Sequence, residues 1–212
     1  MASAERHEKL RGMRVYALLT SDYCRLPVLD AARGLLEGGA DVLQLREKSL
    51  EDGALLERAD ALREMTAEHD ALFIVNDRPD VAVLCGADGV HLGDGDLPPE
   101  RVRELVGPDM IIGLSTHNPE QAGRAADRGA DYIGVGPVFP TETKGYTEGG
   151  GTELVRELCG ATDLPTVALG GITAGNAGDM KSAGATAVAA CRALCGAEDP
   201  AEAAREFSEA MR

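Results

Sequence analysis

The chain has no tryptophan, and only three phenylalanines and four tyrosines among its 212 residues. A core built with so few aromatic rings must be filled by Ala, Val, Leu and Ile, and the abundant Gly and Ala suit tightly packed α/β units. Long apolar runs are also missing. No stretch of about 18 apolar residues occurs, which excludes a membrane-spanning helix. The first 14 residues are polar and charged, without the apolar segment of a signal peptide. The five cysteines, Cys24, Cys85, Cys159, Cys191 and Cys195, form no CxxC pair and accompany no histidine motif. An odd number of thiols in this context predicts reduced cysteines, most of them small core residues, and a cytoplasmic protein. Positive charge is scarce: 21 Lys and Arg stand against 36 Asp and Glu, a net charge of −15. So acidic a surface excludes polyanionic partners, that is, nucleic acid and a membrane surface. Any phosphate site must gather its cations locally.

What is present is a regular alternation of short apolar runs and helical spacing. The expected strands are Val15–Leu19, Asp41–Leu45, Ala71–Val75, Gly89–Leu92, Met110–Leu114, Tyr132–Val135, Thr166–Leu169 and Ala187–Ala190. The expected helices are Leu26–Glu37, Leu50–His69, a short one through Leu84, Pro98–Val106, Pro119–Arg128, Thr152–Cys159, Asn176–Ala183 and Pro200–Met211. Residues 1–12 read as an N-terminal arm or short helix. Four helices end in one punctuation, Gly39-Ala-Asp41, Gly86-Ala-Asp88, Gly129-Ala-Asp131 and Gly184-Ala-Thr186. A glycine cap, a small residue and a polar residue mark a regular α-to-β connection. Eight such units with no linker predict a single (β/α)8 TIM barrel over residues 1–212. An open doubly wound sheet is the alternative, but no GxGxxG turn follows the first strand.

In a barrel of this kind chemistry sits at the C-terminal ends of the strands. In Gln44-Leu-Arg-Glu-Lys48, alternation puts Gln44, Arg46 and Lys48 on one face. They either converge in the barrel mouth or form a salt-bridged rim with Glu47 or Glu51. Asn76 and Asp77 follow strand three, as helix caps or as mouth residues. Asp94 and Asp96 follow strand four, where they read as turn residues. As a pair from neighbouring exits, Asp77 and Asp96 suit one hard cation that takes its other ligands from phosphate oxygens and water. Ser115 is a candidate phosphate ligand, Asn118 before Pro119 a helix cap, and His117 a loop residue or an acid–base group. Gly134 and Gly136 imply that something approaches strand six closely. The hydroxyls of Thr141 and Thr143 and the cation of Lys144 suit anionic oxygens; the alternative is an ordinary solvated loop. Gly171 after strand seven, and Cys191-Arg192 after strand eight, stand where barrels often bind phosphate through backbone N–H groups.

Assembled in order, several motifs resemble those of the thiamine-phosphate synthase family over nearly the whole chain. They are Gln44-Leu-Arg-Glu-Lys48, Val75-Asn-Asp-Arg78, Asp88-Gly-Val-His-Leu-Gly93 with Asp96, Gly113-Leu-Ser115, Gly134-Val-Gly-Pro-Val-Phe-Pro-Thr-Glu-Thr-Lys144 and Ala168-Leu-Gly-Gly-Ile172. The resemblance implies a transferase of thiamine biosynthesis. It would join 4-amino-2-methyl-5-(diphosphooxymethyl)pyrimidine to 4-methyl-5-(2-phosphooxyethyl)thiazole and release diphosphate, with Mg²⁺ as cofactor. It implies that Gln44 contacts the pyrimidine, that Arg46, Lys48, Asn76, Ser115 and Lys144 hold the diphosphate, and that Asp77 and Asp96 bind Mg²⁺. It further implies that Thr141, Thr143, Gly171 and the backbone at Cys191 and Arg192 hold the thiazole phosphate. Arg46, Lys48, Ser115 and Lys144 would be the catalytic set, easing departure of diphosphate from a carbon whose positive charge the aminopyrimidine spreads. The expected partners are these two small molecules, with a homodimer left open. No covalent enzyme intermediate is expected. Two positions depart from the family: Asp94, where Gln is usual, and Arg192, where Ser is usual. A sister family of thiazole tautomerases, metal-free with a histidine near His117, is the closest rival. A non-catalytic phosphate sensor is the rival of another class. Gln44, the paired carboxylates and the Thr-Glu-Thr-Lys run favour the synthase over both. The 141–151 loop, rich in glycine, is a candidate lid.

Overall fold

The computed structural model describes residues 3–141 and 147–212. Its strands are β1 (Val15–Leu19), β2 (Val42–Leu45), β3 (Leu72–Asn76), β4 (Gly89–Leu92), β5 (Ile111–Thr116), β6 (Tyr132–Val135), β7 (Thr166–Leu169) and β8 (Ala187–Ala190). They close in sequence order into a barrel, all parallel, with β8 returning to β1. The helices are α1 (Ser3–Gly12), α2 (Val28–Glu37), α3 (Asp52–Glu68), α4 (Pro79–Leu84), α5 (Pro99–Val106), α6 (Pro119–Arg124), α7 (Gly151–Gly160), α8 (Ala174–Ser182), α9 (Arg192–Cys195) and α10 (Pro200–Ala210). The TIM barrel anticipated from the βα repeat is therefore the observed fold. Most element bounds fall within about two residues of expectation, and two elements differ further. Helix α6 stops at Arg124 and gives way to turns before Gly129. Helix α9 is a single four-residue turn at the β8 exit, too short to carry a hydrophobic period.

Alternation sorts each strand's residues between two cores. Outward residues such as Leu43, Phe73, Val90, Ile112 and Ile133 pack under the helices. Inward residues Tyr16, Val42, Leu72, Ile74, Ile111, Tyr132 and Val167 fill the barrel, joined from below by Leu10 and Met13, just before β1. Branched side chains and two tyrosines thus stopper the N-terminal half. The C-terminal half is left for polar inward residues.

The Gly-Ala-Asp punctuation has a physical reason. Oδ2 of Asp41 accepts the Val15 N–H at 2.9 Å, Oδ2 of Asp88 that of Phe73 at 3.0 Å, and Oδ2 of Asp131 that of Ile112 at 2.8 Å. The Thr186 hydroxyl accepts the Thr166 N–H at 3.1 Å. Each even-numbered strand thereby satisfies a backbone donor at the start of the strand before it, where no ladder partner is available. Asp88 is fully buried and also takes Arg6 Nε and Arg63 Nη1, each at 2.9 Å. Replacing Asp88 by Ala removes the carboxylate partner of both guanidiniums and the acceptor of one amide. This substitution is expected to cost about 3 kcal/mol of stability in urea titration, whereas Asp127→Ala on the exposed turn should stay within about 0.5 kcal/mol. A loss at Asp88 no larger than the control's would contradict the stapling role.

Candidate active site

The inward positions near the strand exits are Gln44 on β2, Asn76 on β3, His91 on β4 and Ser115 on β5. All four line one cavity of about 430 Å³ at the C-terminal mouth. Its other walls are largely apolar, including Leu18, Val167, Leu169 and Ile172. A second cavity of about 310 Å³ adjoins it and holds Lys48, Asp77 and residues 93–96. Arg46, Asn76, His91, Ser115 and His117 border both. The mouth is one continuous site with an apolar chamber and a charged annex.

The β2 exit resolves as alternation requires. Glu47 turns away, accepting Ser21 N at 2.9 Å, Ser21 Oγ at 2.8 Å and Arg58 Nη1 at 2.6 Å. Among the described residues Arg46 enters no ion pair with Glu47 or Glu51, so the salt-bridged rim is not what forms. Lys48 reaches across to pair with Asp77. Asn76 and Asp77 do not cap α4, whose N-cap is Arg78 with no side-chain cap bond. Asp77 has φ of +62°, a left-handed conformation that a non-glycine residue rarely adopts. Its N–H bonds the His91 carbonyl at 2.8 Å, which holds the β3 exit against β4.

Asp77 and Asp96 stand in the same annex, close enough to shift each other's titration. Burial pushes both carboxyls up. For Asp77 this is outweighed by the bonds from Asp96 and Lys48, so it falls below the usual carboxylate range. For Asp96 the adjacent Asp77 adds to burial, so it rises. Asp96 Oδ2 also accepts the Gly93 N–H at 2.7 Å, which fixes its turn. Two carboxyls this close are a donor set that a hard cation can take over, because it would offset their mutual repulsion. Among the described residues no cluster of three or more His, Cys, Asp or Glu is gathered for a metal. This pair therefore suits a hard cation completed by water or ligand oxygens, and not a closed site for a soft metal.

Sequence reasoning overlooked a polar line through the barrel. Gln44 Nε2 donates to Tyr16 OH at 2.6 Å, and the Tyr16 and Tyr132 hydroxyls lie 2.8 Å apart. Tyr132 OH lies 2.9 Å from His91 Nδ1, and His91 Nε2 lies 3.1 Å from Ser115 Oγ. The period of β4 was the available signal, since Gly89 and His91 share the inward face. Two glycines make room for this line. A Cβ on Gly113 would sit 2.1 Å from Cζ of Tyr132, and one on Gly134 would sit 3.3 Å from Cε1 of His91. What comes close to Gly134 is therefore a neighbouring side chain. Gly136 is pressed instead by the β7 backbone, 2.3 Å from a Cβ to Leu169 O.

The β6–β8 side closes the chamber. Thr141, Gly171, Cys191 and Arg192 all border it. Gly171 has φ of +65°, and a Cβ there would lie 2.7 Å from Phe139 Cβ, so the β6 exit loop as well as backbone access requires glycine. Cys191 lies 3.9 Å from Cys195 between sulfurs. That contact and burial push its thiol well above the usual range, which leaves it a neutral packing group. The Arg192 guanidinium stands 4.9 Å over the Tyr23 ring. His117 is a loop residue in its contacts: Nδ1 lies 2.5 Å from Gly136 O, and Nε2 3.6 Å from Asp94. Asn118 caps α6 by accepting Gln121 N at 2.9 Å, as its place before Pro119 indicated. Thr143, Lys144 and part of the candidate lid lie outside the described residues.

Fold and cavity define a (β/α)8 barrel whose mouth joins an apolar chamber to a charge-paired annex, at the end of the fold where barrels place their small-molecule sites. A family model described as thiamine monophosphate synthase matches residues 15–194, and the chain belongs to that family. It is 44% identical to a thiamine-phosphate synthase of Gloeobacter violaceus, over 96% of this chain and 59% of that protein. It is 41% identical to one of Albidiferax ferrireducens, over 96% of this chain and 94% of that protein. The solved structure of a thiamine phosphate pyrophosphorylase from Pyrococcus furiosus superposes with a TM-score of 0.89 at 37% identity, covering 95% of this chain and 97% of that one. Against several curated relatives the chain spans about half of their length, 50% to 59%.

Gly113→Ala tests whether the Tyr132 ring is pinned as the geometry requires. The added methyl must displace the ring, with an expected cost of about 2 kcal/mol and a matching fall in thermal midpoint. An unchanged midpoint would contradict the packing of Tyr132 across β5.

Proposed function

We propose that the protein condenses the hydroxymethylpyrimidine diphosphate with the thiazole phosphate to give thiamine phosphate and diphosphate. The observation that carries this reading is the adjacency of a ring-sized apolar chamber to an annex holding Lys48 and a carboxylate pair, with Arg46, Asn76 and Ser115 in the wall between. Such a wall suits a molecule that is aromatic at one end and diphosphate at the other. The family's named activity in full-length relatives supports the same reading.

In this reading Gln44 holds the pyrimidine in the chamber. Arg46 and Lys48 hold the diphosphate as cations, and Asn76 and Ser115 hold it as neutral donors. Asp77 and Asp96 would hold Mg²⁺, which when bound neutralises charge on the departing diphosphate. Lys144 and Thr143 are assigned to the diphosphate and the thiazole phosphate by family resemblance. Thr141, the Gly171 backbone and the N–H groups at Cys191 and Arg192 hold the thiazole phosphate on the opposite side of the chamber. The thiazole nitrogen is then directed at the carbon losing diphosphate, a positioning task that needs no nucleophilic side chain. The five unpaired thiols agree with a cytoplasmic setting.

The test is diphosphate release by the purified protein. Release should require both substrates and Mg²⁺, and Asp96→Ala should lower kcat/KM by about 100-fold or more while the thermal midpoint confirms folding. Release without the thiazole phosphate, or a folded Asp96→Ala with full activity, would overturn the reading.

A further inference from the structure

The polar line Gln44–Tyr16–Tyr132–His91–Ser115 has a direction. Each phenol has one proton to donate, and a neutral imidazole has one N–H and one acceptor nitrogen. The direction of any one bond therefore fixes the rest. In one polarity Gln44 donates to Tyr16, Tyr16 to Tyr132, Tyr132 to Nδ1 of His91, and the Nε2–H of His91 to Ser115. Ser115 then has its own proton left for the cavity, and Gln44 presents its carbonyl Oε1 as an acceptor. In the opposite polarity Ser115 donates inward and shows lone pairs to the cavity, while Gln44 commits Oε1 to Tyr16 and presents its NH₂.

The surroundings decide between the two. Ser115 shares its cavity wall with Arg46 and Lys48, where an anion calls for donors. At the other end Gln44 meets Tyr16 through its amide nitrogen, 2.6 Å from the phenol oxygen, so the amide enters the line as a donor. Burial drives both phenols far above the usual tyrosine range, so each keeps its proton. We propose that the line is polarised from Gln44 to Ser115 with His91 as its neutral Nε2–H tautomer. Tyr16, Tyr132 and His91 are then positioning residues that make Ser115 a donor to the diphosphate and Gln44 an acceptor that selects an amino-substituted pyrimidine over its oxo analogue. This rests on the reaction proposed above. An oxo group against Gln44 Oε1 sets two acceptors face to face. To accommodate it the amide must flip, and the reversed line turns Ser115 lone pairs onto the diphosphate. The two ends of one substrate are thus read together.

Two measurements test this. The first is nitrogen-15 NMR of the histidine rings in the free wild-type protein, with the His91 signals identified by their loss in His91→Asn. A protonated Nε2 and an unprotonated Nδ1 are expected, and the opposite tautomer overturns the proposal. The second is the ratio of kcat/KM for the amino substrate to that for its 4-oxo analogue. Tyr16→Phe frees the Gln44 amide and should lower this ratio by about 10-fold or more. Tyr132→Phe should leave His91 as a mixture of tautomers. A purely structural role would lower stability and leave both the ratio and the tautomer unchanged, and an unchanged ratio in folded Tyr16→Phe overturns the proposal. If the wild type releases no diphosphate from the amino substrate, it is the reaction that fails; the ring tautomer still decides the direction of the line.

Discussion

Closing eight short parallel strands into a barrel forces every second residue into a space about two side chains wide, and the rest of this molecule follows from that alternation. Tyr16, Leu72, Ile74, Ile111 and Tyr132 fill the lower half, because only there do inward positions meet from all sides. Nearer the exits of β2 to β5, the inward residues are Gln44, Asn76, His91 and Ser115. Their polar atoms face the cavity at the barrel's C-terminal mouth. The Asp staples at the opposite end keep the register on which this depends: a slip of one residue would turn Gln44 outward and Leu45 inward.

Charge is arranged against the grain of the whole chain. With a net charge of −15, the protein repels anions at long range. Arg46 and Lys48 stand at the mouth where Glu47, the nearest acidic residue in sequence, has been drawn off by Arg58 and Ser21. Of the carboxylates that remain, Asp94 lies near His117, while Asp77 and Asp96 act on each other and on Lys48. A cation between the two carboxylates would relieve this repulsion and add to the local positive charge. A phosphate ligand and a hard cation would then stabilise each other's binding.

The sequence made legible whatever depends on near neighbours. Strand periods, glycine caps and the Gln44, Arg46, Lys48 face all follow from spacing within a few residues. The Gly-Ala-Asp repeat was visible as punctuation, but its bonds reach back to the preceding strand, so its role appeared only in three dimensions. The Tyr16–Tyr132 pair spans 116 residues and the Tyr132–His91 pair 41. No local pattern announces such contacts, and both tyrosines read as ordinary strand formers. Helix α9 escaped because one turn has no period, and the end of α6 because its last residues continue as turns. The departures at Asp94 and Arg192 were visible as departures. Their partners, Gln121 and His117 for the one and the Tyr23 ring for the other, were not.

The central claim is that the chamber and annex form one site for one aromatic diphosphate and a second phosphorylated ring. Phosphorus-31 NMR of the purified protein with both substrates and Mg²⁺ tests it most directly, because it identifies every phosphorylated product at once. The account predicts that thiamine phosphate and diphosphate appear in equal amounts as both substrates disappear. Persistence of both substrates in the presence of folded protein would contradict it, as would loss of the pyrimidine diphosphate while the thiazole phosphate stays untouched.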